Sequence, residues 1–273
     1  MSESKKVAVV TGAAGVLCSQ MVRTLLEEGL RVVLLGRTQS KLEDLQAKLK
    51  SDGLEETLVC AADVLDRSAL EKAGEEIKAK WGRIDILVNG AGGNHPKGTT
   101  PIEQMTKDSK LEESFFGLDA EALQDVNRLN FIGTMLPTQV FSSFMIESGG
   151  CVVNISSMAA AAPLTKVATY SAAKAAVDNF TRWLSVHLAP MNIRVNAISP
   201  GFFLTEQNRF LLTNEDGSLT ARGEKILNNT PMNRFGEPEN LATALRFLIA
   251  EESSFVTGII IPVDGGFLAF SGV

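Results

Sequence analysis

The chain has 273 residues, 45% of them hydrophobic and 21% charged, and carries a formal net charge of −6. That composition supports a sizeable core and excludes a disordered chain, while the acidic balance argues against nucleic acid or an anionic membrane as partner. Cys18, Cys60 and Cys151 are widely spaced and form no CxxC pair, which fits a reduced cytoplasmic protein with neither disulfide nor zinc site.

Residues Met1 to Lys6 lead directly into a strand-like VAVV. No signal-peptide core precedes a cleavage site, and no apolar run approaches the ~20 residues of a membrane span. Strand-like β-branched runs follow at Lys6–Val10, Arg31–Leu35, Thr57–Ala61, Ile84–Val88, Cys151–Ile155, Ile193–Ala197 and Gly258–Val263. Segments of helical period lie between them, at about 15–28, 40–51, 67–80, 119–147, 169–188 and 238–250. Nearly all-apolar strands alternating with helices predict a parallel sheet covered on both faces. Right-handed crossovers then make residues 1–273 a single doubly wound α/β domain of Rossmann type, with about seven strands. Two irregular insertions, 90–118 and 201–237, interrupt the rhythm. Both follow strand carboxyl ends, where such sheets bind ligands, and are expected to be the substrate loops.

After the first strand the chain reads Thr11-Gly12-Ala13-Ala14-Gly15-Val16-Leu17-Cys18 and enters a helix. Glycine permits a tight turn close to a pyrophosphate, and a helix amino terminus favours its charge. Gly12, Ala14, Gly15, Val16 and Leu17 are therefore candidate dinucleotide contacts. An acid closing the second strand would bind a ribose 2′-hydroxyl and select NAD. Gly36-Arg37 stands there instead, and the guanidinium favours NADP(H). Asp63, with Val64 beside it, is placed to meet the adenine, and Asn89-Gly90-Ala91 ends the fourth strand with a flexible backbone beside the cofactor.

Tyr170 is the only tyrosine in a chain with 14 phenylalanines, and Lys174 follows it at i+4, on the same helical face. Ser157 stands at the end of the fifth strand. Carbonyl reduction needs a proton donor at the oxygen left negative by hydride attack. A phenol near pKa 10 suits neutral pH only if a neighbouring ammonium and a cationic nicotinamide lower it, and a serine hydroxyl can hydrogen-bond the oxyanion.

In these motifs the chain resembles the short-chain dehydrogenase/reductase family. The resemblance runs through the Gly-rich turn, NGAG at 89–92, Asn130 in RLNFIGT, Ser157, YSAAK, Pro200-Gly201 with Thr205, and VDGG at 263–266. It implies that Ser157, Tyr170 and Lys174 are catalytic and that Lys174 also holds the nicotinamide ribose. It further implies that Asn130 supports a water relay to that lysine, and that Pro200, Gly201, Phe203 and Thr205 lie along the nicotinamide, Thr205 at its carboxamide. Val16 and Cys18 depart from the family's TGxxxGxG spacing.

Asn94, His95, Lys166, Asn208 and Arg209 come from loops expected to open on the catalytic edge. With Ser157 they are candidate contacts for an anionic keto or hydroxy acid, since arginine can grip a carboxylate with two hydrogen bonds. The GGNHPK, PLTK and PGFFLTEQNR stretches and the end VDGGFLAFSGV resemble the family's sugar-acid branch, the D-mannonate oxidoreductases or fructuronate reductases. That branch implies interconversion of D-fructuronate and D-mannonate with NAD(H), so NAD and NADP both stay open. The alternatives are another short-chain carbonyl reductase, of the gluconate 5-dehydrogenase or 3-oxoacyl reductase type, or a non-catalytic dinucleotide sensor. The widely apolar helices at 119–147 and 169–188 and the tail Phe267–Phe270 predict subunit contacts in a homotetramer or homodimer. His95 and His187 are far apart in sequence, so no metal site is expected.

Overall fold

A computed structural model describes residues 5–205 and 209–272. The apolar runs form seven strands: β1 (Val7–Thr11), β2 (Arg31–Gly36), β3 (Thr57–Ala61), β4 (Ile86–Asn89), β5 (Gly150–Ile155), β6 (Ile193–Pro200) and β7 (Ile260–Val263). They make one parallel sheet in the order β3-β2-β1-β4-β5-β6-β7. Successive side chains leave a strand on opposite faces. Ala8 and Val10 of β1 accordingly join one buried cluster, while Val7 and Val9 join the other.

The first face is covered by α1 (Val16–Glu27), α2 (Gln39–Ser51) and α9 (Ala242–Ile249), through residues such as Met21, Leu42 and Leu245. The second is covered by α3 (Arg67–Trp81), α5 (Gly133–Ser142) and α6 (Ala168–Leu188), through Ile77, Phe141 and Leu184. Burial of both faces explains why the strands read as continuous apolar runs rather than alternating ones.

Three segments differ from the sequence expectation. The helix expected over 119–147 is broken into α4 (Ala120–Asn127), a π-helical turn over Arg128–Ile132, α5 and a 3-10 turn at Ser143–Met145. The cause is Asn130, whose Nδ2 donates to the Val126 carbonyl at 2.8 Å. That carbonyl would ordinarily take the backbone amide four residues on, so the local register widens. The strand expected from Ile84 begins at Ile86 instead, because the Asp85 carboxylate turns inward and accepts the Val7 amide at 2.8 Å. The insertion 201–237 is not irregular throughout. It contains α7 (Arg209–Leu212) and α8 (Ala221–Asn228), and the Thr220 hydroxyl caps α8 by accepting the Gly223 amide at 3.1 Å. The insertion 90–118 holds only 3-10 turns.

The strand order reverses at the β1/β4 pair, where the chain leaves one half of the sheet and starts the other. Connections diverge there, so a crevice opens beyond the carboxyl ends of β1 and β4.

Candidate active site

Two adjoining hollows occupy that crevice, of about 380 and 290 Å³, and they share Gly15, Gly90 and Gly92. Gly12, Ala14, Gly15, Arg37, Val64, Gly90 and Ala91 line the smaller one. Its floor requires glycine. Gly12 has φ +66, and a Cβ there would stand 2.9 Å from the Ala91 Cα. Thr11 Oγ1 locks the two strand ends together by accepting the Gly90 and Ala91 amides at 3.0 and 3.2 Å. Gly15 caps α1 without a side-chain bond, so the helix presents its first-turn amides to the crevice. An uncapped twelve-residue helix opening beside a wall with no room for Cβ atoms fits a pyrophosphate. Arg37, Thr38 and Lys41 close the far end. Ala62 and Val64 line this hollow, whereas Asp63 between them does not, its carboxylate accepting the Leu65 amide at 2.9 Å.

The larger hollow is lined by Val16 and Leu17 from the α1 end and by Ser157, Tyr170 and Lys174. On its other side it is lined by Pro200, Gly201, Phe203 and Thr205. The fold thus brings Ser157, Tyr170 and Lys174 together, although they come from β5's end and from α6. Ser157 is almost fully buried, and its Oγ accepts the Ala159 amide at 3.2 Å. Lys174 is fully enclosed, and its Nζ donates to the Ile155 carbonyl at 2.8 Å. The ammonium lies 5.7 Å from the centre of the Tyr170 ring.

Burial pushes the Lys174 ammonium down from 10.5 to about 8, partly offset by the charge of the Asp178 carboxylate. Burial likewise raises the Tyr170 phenol above 10.0, and the hydrogen bond with Ser157 only partly opposes it. Burial is the larger influence on the phenol here, whereas the lowering expected from the sequence needs the ammonium and a cationic nicotinamide together.

Asn130 is fully buried beneath the crevice. Its side chain grips Gly93 in both directions, donating to the carbonyl at 2.7 Å and accepting the amide at 3.1 Å. Asn89 also sits below the crevice. Its Nδ2 donates to Thr138 and Asn154, at 2.8 and 2.9 Å, and so joins β4 to α5 and β5. Its side chain is thereby engaged within the core, and Gly90, Ala91 and Gly92 form the wall.

The candidate substrate residues do not gather at one point. The Asn94 side chain donates to Thr99 at 3.0 Å and accepts the His95 amide, and His95 Nδ1 accepts the Lys97 amide, so both are turned into their own loop. Arg209 is exposed at the head of α7. Lys166 is half-buried, and its charge acts with those of Arg222 and Lys225 of α8 on the exposed Glu103 carboxylate. Asn208 lies outside the described residues, as do Glu206 and Gln207.

Sequence reasoning missed three features. Cys18 lines the larger hollow and packs its Sγ where a Cβ on Gly90 would stand, so the departure from the glycine pattern is filled by a thiol. Burial raises that thiol to about 12, so it is a neutral packing group. Asp178, one turn beyond Lys174, accepts a hydrogen bond from the Ser156 hydroxyl, and its i+4 spacing from Lys174 is a signal visible in the sequence. Arg222 and Lys225 carry no local signal at all. Among the described residues no group of His, Cys, Asp and Glu could hold a metal, and no helix is long and apolar enough to cross a membrane.

Residues 12–268 match the family model described as enoyl-(acyl carrier protein) reductase. The chain is 48% identical over 270 residues to the uncharacterised oxidoreductase UxuB of Bacillus subtilis, covering 98% of this chain and 96% of the relative. A structure from Haemophilus influenza, provisionally named a D-mannonate oxidoreductase and holding NAD, superposes with a TM-score of 0.94 at 43% identity. That match covers 98% of this chain and 96% of the other. A gluconate 5-dehydrogenase from Burkholderia cenocepacia, in complex with NADP and tartrate, gives a TM-score of 0.82 at 27% identity, covering 97% and 95%. Sequence match, sheet order and crevice agree: the chain belongs to the short-chain dehydrogenase/reductase family, as a nicotinamide-dinucleotide-dependent oxidoreductase acting on alcohol and keto groups.

Proposed function

We propose that the chain interconverts a keto group and a secondary alcohol on a sugar acid, of the D-fructuronate/D-mannonate type. Ser157, Tyr170 and Lys174 serve as its catalytic residues. The observation that carries the reading is their convergence on one hollow beside a phosphate-sized cradle. When bound there, the nicotinamide dinucleotide supplies or accepts the hydride. The Tyr170 phenol donates a proton to the carbonyl oxygen in reduction and takes it back in oxidation. Ser157 hydrogen-bonds the same oxygen as its charge develops. Lys174 holds positive charge behind the phenol and stabilises phenolate, and Asn130 fixes the Gly92–Gly93 wall that both face.

The sugar-acid part is supported by the 43% identity to the provisional D-mannonate oxidoreductase and by the cation cluster at Lys166. The loops 90–118 and 201–237 then enclose the substrate. For the cofactor, Arg37 and Lys41 with no adjoining carboxylate support acceptance of a 2′-phosphate, while the NAD-bound relative supports NAD. The reading is use of both, with Arg37→Ala lowering efficiency with NADP(H) about 10-fold or more and leaving NAD(H) little changed. Exposed Trp183 and Val186 on α6 support a homo-oligomer, the net charge of −6 supports a protein without nucleic-acid or anionic-membrane partners, and the three free cysteines support a reduced, cytoplasmic setting.

The test is Tyr170→Phe. Turnover of D-fructuronate is expected to fall by about 100-fold or more, with dinucleotide affinity within a few-fold of the parent. Retained turnover in that variant overturns the mechanism.

A further inference from the structure

A second hollow, of about 220 Å³, adjoins the catalytic one and shares Phe202 with it as a common wall. Leu164 and Thr165, a few residues beyond Ser157 in the chain, line it on one side, and Arg222, Lys225 and Asn229 of the α8 region line it on the other. Glu103 sits at its edge and is ion-paired with Lys225.

Three remote stretches of the sequence therefore meet here: the insertion 90–118 through Glu103, the segment after β5 through Leu164 and Thr165 with Lys166 next along the chain, and α8 through Arg222 and Lys225. The cations outnumber the carboxylate three to one in a chain whose net charge is −6. Their influence is felt, since the Glu103 carboxyl is held below its ordinary range, chiefly by the hydrogen bond from Lys225, with the charges of Lys166 and Arg222 adding. Lys166 is also held in a left-handed backbone conformation, φ 73, which a non-glycine residue adopts at a cost. Its carbonyl accepts the Thr100 amide at 2.9 Å, which fixes the lysine against the 90–118 insertion.

We propose that Lys166, Arg222 and Lys225 form the subsite for the terminal carboxylate of the substrate, with Glu103 as an internal counter-ion that the substrate carboxylate displaces. The proposal rests on the sugar-acid reading above and assigns it a location. The keto carbon lies at Ser157 and Tyr170, and the acid end of the same short chain passes Phe202 into the cationic hollow. Specificity for acids over neutral ketoses then comes from charge at a distance from the reacting carbon, not from the catalytic residues.

The experiment compares D-fructuronate with its methyl ester, which keeps the chain and removes the charge, in the full-length enzyme. Arg222→Gln and Lys166→Gln are each expected to lower the acid-to-ester ratio of kcat/KM by about 10- to 100-fold. Arg222→Lys retains most of the ratio, which separates loss of charge from misfolding. Glu103→Gln raises the ratio by about 2- to 10-fold by removing the competitor. An unchanged ratio in Arg222→Gln and Lys166→Gln, or a parent enzyme that does not distinguish acid from ester, overturns the subsite while leaving the oxidoreductase reading intact. If the parent turns over no ketone, D-mannonate binding measured by calorimetry decides. Binding lost in Arg222→Gln keeps the subsite and rejects the proposed reaction, whereas binding unaffected by the substitution rejects the subsite as well.

Discussion

Lys174 is a fully enclosed ammonium whose pKa has fallen from 10.5 to about 8. The shift makes a specific statement about stability. Below pH 8 the folded chain must bury a charge that the unfolded chain leaves in water, so the whole penalty is present. Above 10.5 both states hold a neutral amine and the penalty is gone. Between them the unfolded state binds more protons, and stability from this group rises with pH. At about 1.4 kcal/mol per tenfold change in the protonation equilibrium, the penalty is about 3 kcal/mol at pH 7 and about 1 kcal/mol at pH 10.

Lys174→Met keeps the stem volume and removes the charge, along with the hydrogen bond to the Ile155 carbonyl. Loss of that bond costs the variant a roughly constant amount at either pH, about 1.5–3 kcal/mol, so the diagnostic is the change in the difference between the two proteins. The Cys18 thiol, raised to about 12, stays neutral throughout the window. Urea unfolding of both proteins at pH 7 and pH 10, at matched protein concentration, is expected to show the parent gaining about 2 kcal/mol on the variant. A difference that does not change with pH, or one that moves in the variant's favour as pH rises, refutes the burial argument for Lys174.

Gly90→Ala would bring a Cβ within 2.1 Å of the Cys18 Sγ, so the single variant is expected to lose soluble yield and dinucleotide binding. Cys18→Ala in the same chain should restore both in part, because the Thr11 carbonyl stays tight at 3.0 Å; equal damage in the single and double variants, by fluorescence titration with the dinucleotide, contradicts the packing. Gly12→Ala combines a φ of +66 with a Cβ 2.9 Å from Ala91, and should lower thermal stability and weaken dinucleotide binding at least 10-fold. An affinity unchanged by that substitution removes Gly12 from the cradle. Asp178 raises the Lys174 pKa through its charge, so Asp178→Asn should move the alkaline limb of the kcat/KM profile to lower pH. A limb that stays in place dissociates Asp178 from the lysine.

The grouping of Ser157, Tyr170 and Lys174 on one hollow was legible because its logic is local. A lone phenol four residues before a lysine shares a helical face with it, and a serine closing an apolar strand stands at a sheet edge. The Gly-rich turn was legible for the same reason, down to Gly12, whose φ of +66 only glycine adopts freely. Asn130 lies within the segment 119–147 expected to be helical and is implied by the family resemblance to support a water relay, yet its side chain takes the Val126 carbonyl and breaks that helix. Helical periodicity cannot anticipate such competition, because it counts side-chain faces and not backbone hydrogen bonds. Asn94 and His95 show what spacing leaves out: their side chains also hold their own turn, through Thr99 and the Lys97 amide.

By itself, the sequence determined the alternation of buried strands and covering helices, the place of the crevice, and which serine, tyrosine and lysine line it. These follow from period, burial and short-range spacing, which the chain carries at every point. Only the tertiary structure decided that the Lys174 amine faces the Ile155 carbonyl, that a thiol fills the space over Gly90, and that Arg222 and Lys225 border one hollow with Glu103. Those contacts join residues separated by tens of positions, and their energies depend on distance and burial that exist only once the sheet has closed.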